Sequence, residues 1–442
     1  MKQRDSHDIR MIADRNQLVM EIVGEIQAAE ISYVYLRGHE GLPDDIGNDV
    51  DILLPPGLTA RVAGIFREVA RKSGWSFIDA RSYGSLCLFF GNRDSGETLH
   101  VDLFEEIAWH FIHYMDARGV LARRVWNGHV HIPDPQDSLY LYLCGRMIYQ
   151  GVVREKHRAL AREVVRCHGE GFVRAAFERH LGRRSEALVR DLQAADWQCD
   201  VRIRNTMRGL ALRRHGVGRP WSLAMALGRY GGRTLLKMLN PPGRFFVLEG
   251  ADGVGKSTVL EAVIPWASEW CVRGPYDFHW KPTKVYRGDR VNTGSVDPRG
   301  ERVRCKGVSL CFLIYHISGF WWGWLSRIYP LLVRSHLIVG DRYSYDLFLD
   351  PTRFRLDLPA GLCRFAAMLA PRPDVTVGLV ARPETIHDRK PELEVGDIAG
   401  YQARWELLSA GRRRMITVAA DGEPAEVIRL VKRALLQAVT HD

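Results

Sequence analysis

Apolar residues recur at helical spacing from Asp8 to Ala29, and the pattern then alternates over Ile31 to Leu36, which predicts a helix followed by a strand. A second strand is expected from Asp49 to Leu54 and a helix from Thr59 to Lys72. Further strands are expected at Trp75 to Ile78, Leu86 to Phe90 and Leu99 to Phe104. This mixed α/β unit ends near Pro135. From Leu139 to about Met238 the spacing is helical almost throughout, apart from a Gly- and Arg-rich patch at Gly216 to Pro220. Asn240-Pro241-Pro242-Gly243 then breaks the chain sharply.

Beyond the break, strands and helices alternate as in a parallel, doubly wound sheet. Strands are expected at Phe245 to Glu249, near Trp270 to Arg273, and at His336 to Gly340, Val375 to Val380 and Met415 to Ala419. An amphipathic helix from Glu426 to Val439 closes the chain. The expected organisation is a mixed α/β domain over 1–135, a helical segment over 136–240 and a parallel α/β domain over 241–442. Val308 to Leu325 is apolar and aromatic enough to raise the question of a membrane span. His316, Ser318 and Gly319 inside it favour a buried helix instead.

A chain of 442 residues exceeds what one core supports. The 46% hydrophobic and 26% charged content is that of a folded protein. The net charge of +10 is concentrated: Gly151 to Asn240 carries 19 Lys and Arg against 8 Asp and Glu. Such a segment suits nucleic acid, an anionic membrane surface or a polyanionic substrate, and equally a solvated connector. Arg154, Lys156 and Arg158 read either as a phosphate grip or as surface charge. The polar start and the eight scattered cysteines fit a cytoplasmic protein with reduced thiols. His110 and His113, spaced i,i+3 on an expected helix, and His129 and His131, alternating on an expected strand, are weighed as metal ligands against ordinary polar histidines.

Gly250 to Ser257 reads Gly-Ala-Asp-Gly-Val-Gly-Lys-Ser, a complete G-x-x-x-x-G-K-[ST] loop between an expected strand and an expected helix. Gly250, Gly253 and Gly255 let backbone N–H groups turn toward phosphate oxygens, and the following helix adds the positive end of its dipole. Lys256 is expected on the β- and γ-phosphates, Ser257 on Mg2+ and Thr258 in the first turn behind them. Asp341-Arg342-Tyr343 follows the strand ending at Gly340, which puts Asp341 at the same sheet edge as Lys256. There a carboxylate can hold Mg2+ or orient a hydroxyl, and Arg342 can bear on a phosphate. Pro383 to Lys390, followed by the acidic Glu392 to Gly400, has the pattern of a mobile lid bringing Arg389 to the phosphoryl group.

These pieces resemble the thymidylate kinase family of P-loop kinases over residues 244 to 440: an acid at Asp252, Asp-Arg-Tyr after the third strand, and Pro-Glu then Arg opening the lid. The resemblance implies a five-stranded parallel core, ATP with Mg2+ as donor, Arg342 and Arg389 near the phosphates, and Asp252 near the acceptor's sugar hydroxyl. It also implies that Ala420-Asp421-Gly422 lies beside the adenine, with Asp421 in the nucleotide site. Where the family places a Ser and then Ala-Tyr-Gln to read thymine, this chain runs Ser344-Tyr345-Asp346-Leu347. The acceptor is therefore not expected to be dTMP. Phe278-His279-Trp280-Lys281-Pro282 either shapes a different acceptor pocket or packs.

In the first domain, Gly38-His39 precedes Asp49-Val50-Asp51 by nine residues. Strand alternation puts Asp49 and Asp51 on one face, and Asp102 stands on a later strand. Two metals held by three acids suit alignment of a nucleotide α-phosphate against an attacking hydroxyl. This resembles the DNA polymerase beta-like nucleotidyltransferases over residues 10 to 135, with His39 in place of the family's small residue.

The expected function is an ATP- and Mg2+-dependent kinase for a small acceptor, nucleotide or sugar, with nucleotidyl transfer as a second activity. The competing expectation is a regulatory or defence NTPase that binds nucleic acid through the basic helices. A third has a live kinase and an inactive first domain that recruits substrate. Peripheral membrane contact and a homodimer are compatible with either; a membrane span is not expected.

Overall fold

A computed structural model describes residues 2–47, 49–82, 85–92, 94–217, 220–269, 271, 273–283 and 303–439. The chain divides into two compact units, Met1–Gly91 with Leu99–Leu235, and Asn92–Thr98 with Leu236–Asp442.

The first unit opens with α1 (Lys2–Ala28), β1 (Val34–Arg37), β2 (Asp49–Leu53), α2 (Thr59–Lys72), β3 (Trp75–Ser82), β4 (Leu86–Asn92) and β5 (Thr98–Phe104). The strands form one mixed sheet in the order β1-β2-β5-β4-β3. Alternation sorts its two faces. Val50, Ile52, Leu88, Phe90, Leu99, Val101 and Leu103 share a core with Leu18, Ile22 and Ile26 of α1 and Val62 and Phe66 of α2. The residues between them therefore face the other way.

Two hairpins follow, β6 (Ile107–Trp109) with β7 (Ile112–Met115) and β8 (Val125–Trp126) with β9 (His131–Ile132), with α3 (Ala117–Ala122) between them. The helical stretch comprises α4 (Pro135–Gln150), α5 (Glu155–His168), α6 (Glu170–Leu181), α7 (Glu186–Ala194), α8 (Val201–Leu212) and α9 (Pro220–Leu239). Its apolar faces do not close on themselves alone. Leu139, Tyr140, Phe177, Leu188 and Met207 share one core with Val34, Leu36 and Leu53 of the sheet. At its centre Asp137 and His180 are fully buried. Asp137 accepts from His180 Nε2 at 2.9 Å and pairs with Arg123 and Arg179, each at 3.0 Å.

His110 and His113 are not on a helix. His110 is at the β6–β7 turn with φ of +54°, and His113 is on β7, where it pairs with Glu106 at 3.2 Å. The i,i+3 spacing was a coincidence of a tight hairpin, whose alternating Ile107, Trp109 and Ile112 carry a strand signal. His131 is on β9 and His129 precedes it, outside any strand.

The second unit is a five-stranded, all-parallel sheet flanked by helices. Its elements are β10 (Arg244–Gly250), α10 (Lys256–Ser268), β11 (Arg273–His279), α11 (Lys306–Gly323), α12 (Tyr329–Val333), β12 (His336–Asp341), α13 (Asp346–Leu349), α14 (Ala360–Leu369), β13 (Val375–Val380), α15 (Pro383–Arg389), α16 (Val395–Ser409), β14 (Met415–Ala419) and α17 (Pro424–Val439). The order β11-β12-β10-β13-β14 puts β10 at the centre, where successive connections leave in opposite directions. The second strand lies later than expected, at Arg273–His279; Trp270 and Val272 are outside the described residues. Glu392 to Gly400, expected as part of a mobile lid, is largely the first turn and a half of α16.

On β13, a Cβ at Gly378 would lie 2.1 Å from the Trp405 indole. That ring is buried and donates Nε1–H to Thr417 Oγ1 at 2.9 Å.

The buried helix expected over Val308 to Leu325 is a correction. In α11, Ser309, Leu313, His316, Phe320 and Gly323 form one buried stripe, while Ile314, Tyr315 and Trp322 are 60%, 63% and 69% exposed. Apolar residues occupy the whole circumference, but the domain covers only one side of it. Lys306–Val333 is the one run among the described residues long and apolar enough to cross a membrane, and 28% of its most apolar window is buried.

Candidate functional site

The loop after β10 turns on glycine. Gly253 and Gly255 have φ of +92° and +101°, and a Cβ on Gly253 would meet Lys390 Cβ at 2.9 Å and Ile386 O at 3.1 Å. The loop therefore lies directly beneath the end of α15. Lys256 opens α10 and curls back, donating to Gly250 O at 2.8 Å and Ala251 O at 2.9 Å, with Asp252 Oδ1 at 3.6 Å. Burial, reinforced by the charge of Arg342, pushes its ammonium down to about 8. Ser257 and Thr258 are exposed on the first turn of α10.

Parallel pairing sets Asp341 opposite Leu248 and carries it to the same edge as the loop. One Asp341 oxygen faces His279 Nδ1 at 3.2 Å. The other is buried and has no hydrogen-bond partner. Burial works against ionisation here, but the His279 contact and the Lys256 charge hold the carboxyl below its usual value. An ionised, half-satisfied carboxylate at the sheet edge that carries the glycine loop, with the exposed Ser257 hydroxyl on the first turn of α10, is a choice of oxygen donors that fits Mg2+.

Arg342 is 1% exposed and adopts φ of +69°, a left-handed backbone that a non-glycine residue keeps only under tight constraint. Its backbone N–H donates to Leu248 O at 2.9 Å. Its guanidinium reaches Asp346 Oδ1 and Oδ2 at 3.1 and 2.9 Å, and Asp252 Oδ1 at 2.6 Å. Arg353 lies 3.6 Å from the second Asp252 oxygen. Although burial opposes it, Arg342 and Lys256 hold Asp252 well below the carboxylate range.

Glu249, Asp346 and Tyr401 belong to this centre and carry no motif signal. Glu249, fully buried, accepts from Tyr343 N at 2.8 Å, and Tyr401 Oη lies 3.3 Å from Glu249 Oε2 and 3.4 Å from Asp346 Oδ1. Tyr401 Oη also accepts from Gly250 N at 3.2 Å. Burial, then the charge of Asp346, pushes Glu249 well above its usual value.

Arg389 is exposed at the end of α15 and donates to Ala420 O at 3.2 Å, while Asp421 Oδ1 accepts from Arg382 N at 2.8 Å. Both thus frame the loop after β14. Tyr345, Asp346, Leu347 and Phe348 point into the domain. Next to Asp341, Trp280 N donates to its backbone O at 2.8 Å, and the Trp280 ring stacks on Phe354 at 4.9 Å. Lys281 Nζ, 3.4 Å from His316 Nδ1 and over the Tyr315 ring, completes this wall; burial pushes His316 down to about 4, leaving it neutral.

In the first unit, the register Asp49↔His100 and Asp51↔Asp102 brings the three expected acids together on the sheet face away from α1 and α2. Each is engaged. Arg37 Nη2 lies 2.6 Å from Asp51 Oδ2, and His100 Nδ1 lies 3.2 Å from Asp49 Oδ1. Burial pushes Asp51 up to about 6 despite Arg37. His100 and Cys87, from β5 and β4, were not singled out in the sequence, and their place beside Asp102 is set by cross-strand pairing alone.

No protein-family model matches the chain, and no curated protein matches it. Among solved structures, a thymidylate kinase from Ehrlichia chaffeensis is similar with TM-score 0.30 and 17% identity, over 44% of this chain and 100% of its own. A Helicobacter pylori protein described as a nucleotidyltransferase has TM-score 0.26 and 15% identity, over 53% and 98%. A Sinorhizobium meliloti gluconokinase has TM-score 0.22 and 19% identity, over 44% and 93%.

Proposed function

We propose that the second unit is an ATP- and Mg2+-dependent phosphotransferase for a small polar acceptor of the nucleotide or sugar class. The observation that carries this reading is the convergence, at one sheet edge, of Lys256 on a glycine loop with an Asp341 oxygen that is buried, ionised and without a partner. Bound Mg·ATP supplies the transferable phosphoryl group. Ser257 and Asp341 would hold the cation. Lys256 exchanges its two carbonyl contacts for phosphate oxygens, an exchange its depressed pKa makes favourable because an anion restores the full charge.

Asp252 is fixed by Arg342 and strongly ionised, so it orients an acceptor hydroxyl by accepting a hydrogen bond more than it stores a proton. Arg389, exposed at the end of α15, would supply a cation to the phosphates of the nucleotide. The acceptor wall of Trp280, Phe354, Lys281 and His316 presents aromatic faces and one cation, and the segment after Tyr343 is turned inward. This favours a hydroxylated ring over thymine recognition by Ser344 to Leu347.

The test is ADP release from ATP by wild type and Lys256→Ala with a panel of nucleoside monophosphates, sugars and polyols. Acceptor-dependent release lost in Lys256→Ala supports the proposal. Release stimulated only by polynucleotide, with steep salt dependence, would replace it with a nucleic-acid-coupled NTPase.

A further inference from the structure

On the polar face of the first sheet, three adjacent strands present a donor set that oxygen-seeking Mg2+ does not take. Cys87 and Phe89 come from β4, His100 and Asp102 from β5, Asp49 and Asp51 from β2. Ligand atoms of Cys87, His100 and Asp102 all lie within 4.8 Å of one another. Mg2+ asks for six oxygens in near-octahedral array. Here the three closest donors are a sulfur, an imidazole nitrogen and a carboxylate, and Asp51 is already neutralised by Arg37.

We propose that the first unit binds one zinc-class divalent cation through Cys87 Sγ, His100 Nε2 and Asp102, with Asp49 orienting the imidazole from behind. The histidine is arranged for this. Its Nδ1 faces Asp49 Oδ1 at 3.2 Å, whereas Nε2 is buried, lies 3.5 Å from Asp102 Oδ1 and makes no hydrogen bond. A carboxylate on one ring nitrogen, fixing the tautomer that leaves the other free, is the usual outer partner of a metal-ligating histidine. The ring is also clamped flat on Phe89, with centroids 4.5 Å apart and planes 8° from parallel.

A tetrahedral zinc ion places neighbouring ligand atoms about 3.5 Å apart, so closing the cluster takes only small side-chain rotations. Ser85 Oγ, 3.5 Å from Cys87 Sγ and 3.2 Å from Asp102 Oδ1, already bridges two of the three ligands. Cys87 is buried, but the His100 and Asp102 side chains are 14% and 19% exposed, so an ion can enter and a fourth position stays open to water. Thiolate and imidazole select zinc-class ions, which follow the general affinity order far ahead of Mg2+.

The experiment is titration of the full chain, stripped with chelator, with Co2+ as an optical stand-in for zinc. The expected result is one cobalt per chain with a thiolate charge-transfer band and intense tetrahedral d–d bands, displaced by Zn2+ and unaffected by a large excess of Mg2+. Cys87→Ser and Cys87→Ala are expected to abolish the thiolate band. Asp49→Asn should keep it while weakening affinity about 10- to 100-fold. Lys256→Ala, altered in the other unit, should titrate as wild type, which separates this site from any metal carried by nucleotide. A wild-type spectrum without a thiolate band, an unchanged spectrum in both Cys87 variants, or displacement of cobalt by equimolar Mg2+ would overturn the proposal.

Discussion

Arg342 Nη2 lies 2.6 Å from Asp252 Oδ1 and so ties the end of β12 to the glycine loop after β10. Its other amino group holds Asp346, so one buried cation serves two acids. Arg342→Ala strands buried carboxylates and is expected to lower stability by about 3–5 kcal/mol. Arg342→Lys keeps the charge but cannot span both acids, and should fall between wild type and alanine. Urea unfolding midpoints at neutral pH give the comparison; equal midpoints for Lys and Ala variants would show that charge placement does not matter here.

Lys256, with its ammonium at about 8, should take up a proton when a triphosphate binds above that pH. Affinity is therefore expected to fall as pH rises past about 8, with net proton uptake near pH 8.5. Calorimetric titration with a non-hydrolysable ATP analogue in two buffers of different ionisation enthalpy measures the uptake. Lys256→Met should bind more weakly and show none.

Asp341→Asn replaces an ionised oxygen by a neutral one at the proposed Mg2+ position and leaves the fold intact. ATP turnover is expected to drop by about 10²–10³-fold, of the order seen when one charge-stabilising group is removed, and half-maximal Mg2+ to rise. Turnover measured across a Mg2+ series would refute this if the variant and wild-type curves coincide.

Glu249→Gln should fold without loss. Burial and the Asp346 charge raise the native pKa, so wild type loses stability as pH climbs from the ordinary value of 4.5 toward the native one, whereas Gln does not. The variant is expected to gain on wild type as pH rises above 4.5 in paired unfolding curves.

Asp137 in the helical part of the first unit behaves oppositely. Burial notwithstanding, His180 and Arg179 hold its pKa down. Its contribution is present above the unfolded value and is lost as pH falls through the native one. Asp137→Asn should melt below wild type at pH 7, the gap narrowing below about pH 4. Melting curves across that range carry the test.

The parts of this fold governed by local pattern were legible. α2, β13 and β14 lie where periodicity put them, and the Gly250 to Ser257 loop sits between its strand and helix. Asp341 reached the loop edge because a parallel strand must deliver its last residue there. Glu249, Asp346 and Tyr401 were not legible, since each matters through a contact with residues up to 152 positions away. His100 was passed over beside Asp102 because one histidine in a strand carries no signal until Asp49 and Cys87 flank it. The exposed side of α11 was missed for a different reason: composition reports how apolar a helix is, not how much of it the domain covers.

Gly378 and Trp405 set a boundary on how far this sequence can drift. The indole, brought in by α16, occupies the volume that any side chain at 378 would need, so even Gly378→Ala requires the tryptophan to shift. Replacing Trp405 first opens a cavity, and filling 378 first forces a clash. Both single steps descend, and only the pair together returns to a packed core. A relative of this chain with a side chain at position 378 is therefore expected to carry a smaller residue at 405, so the two positions change as one character.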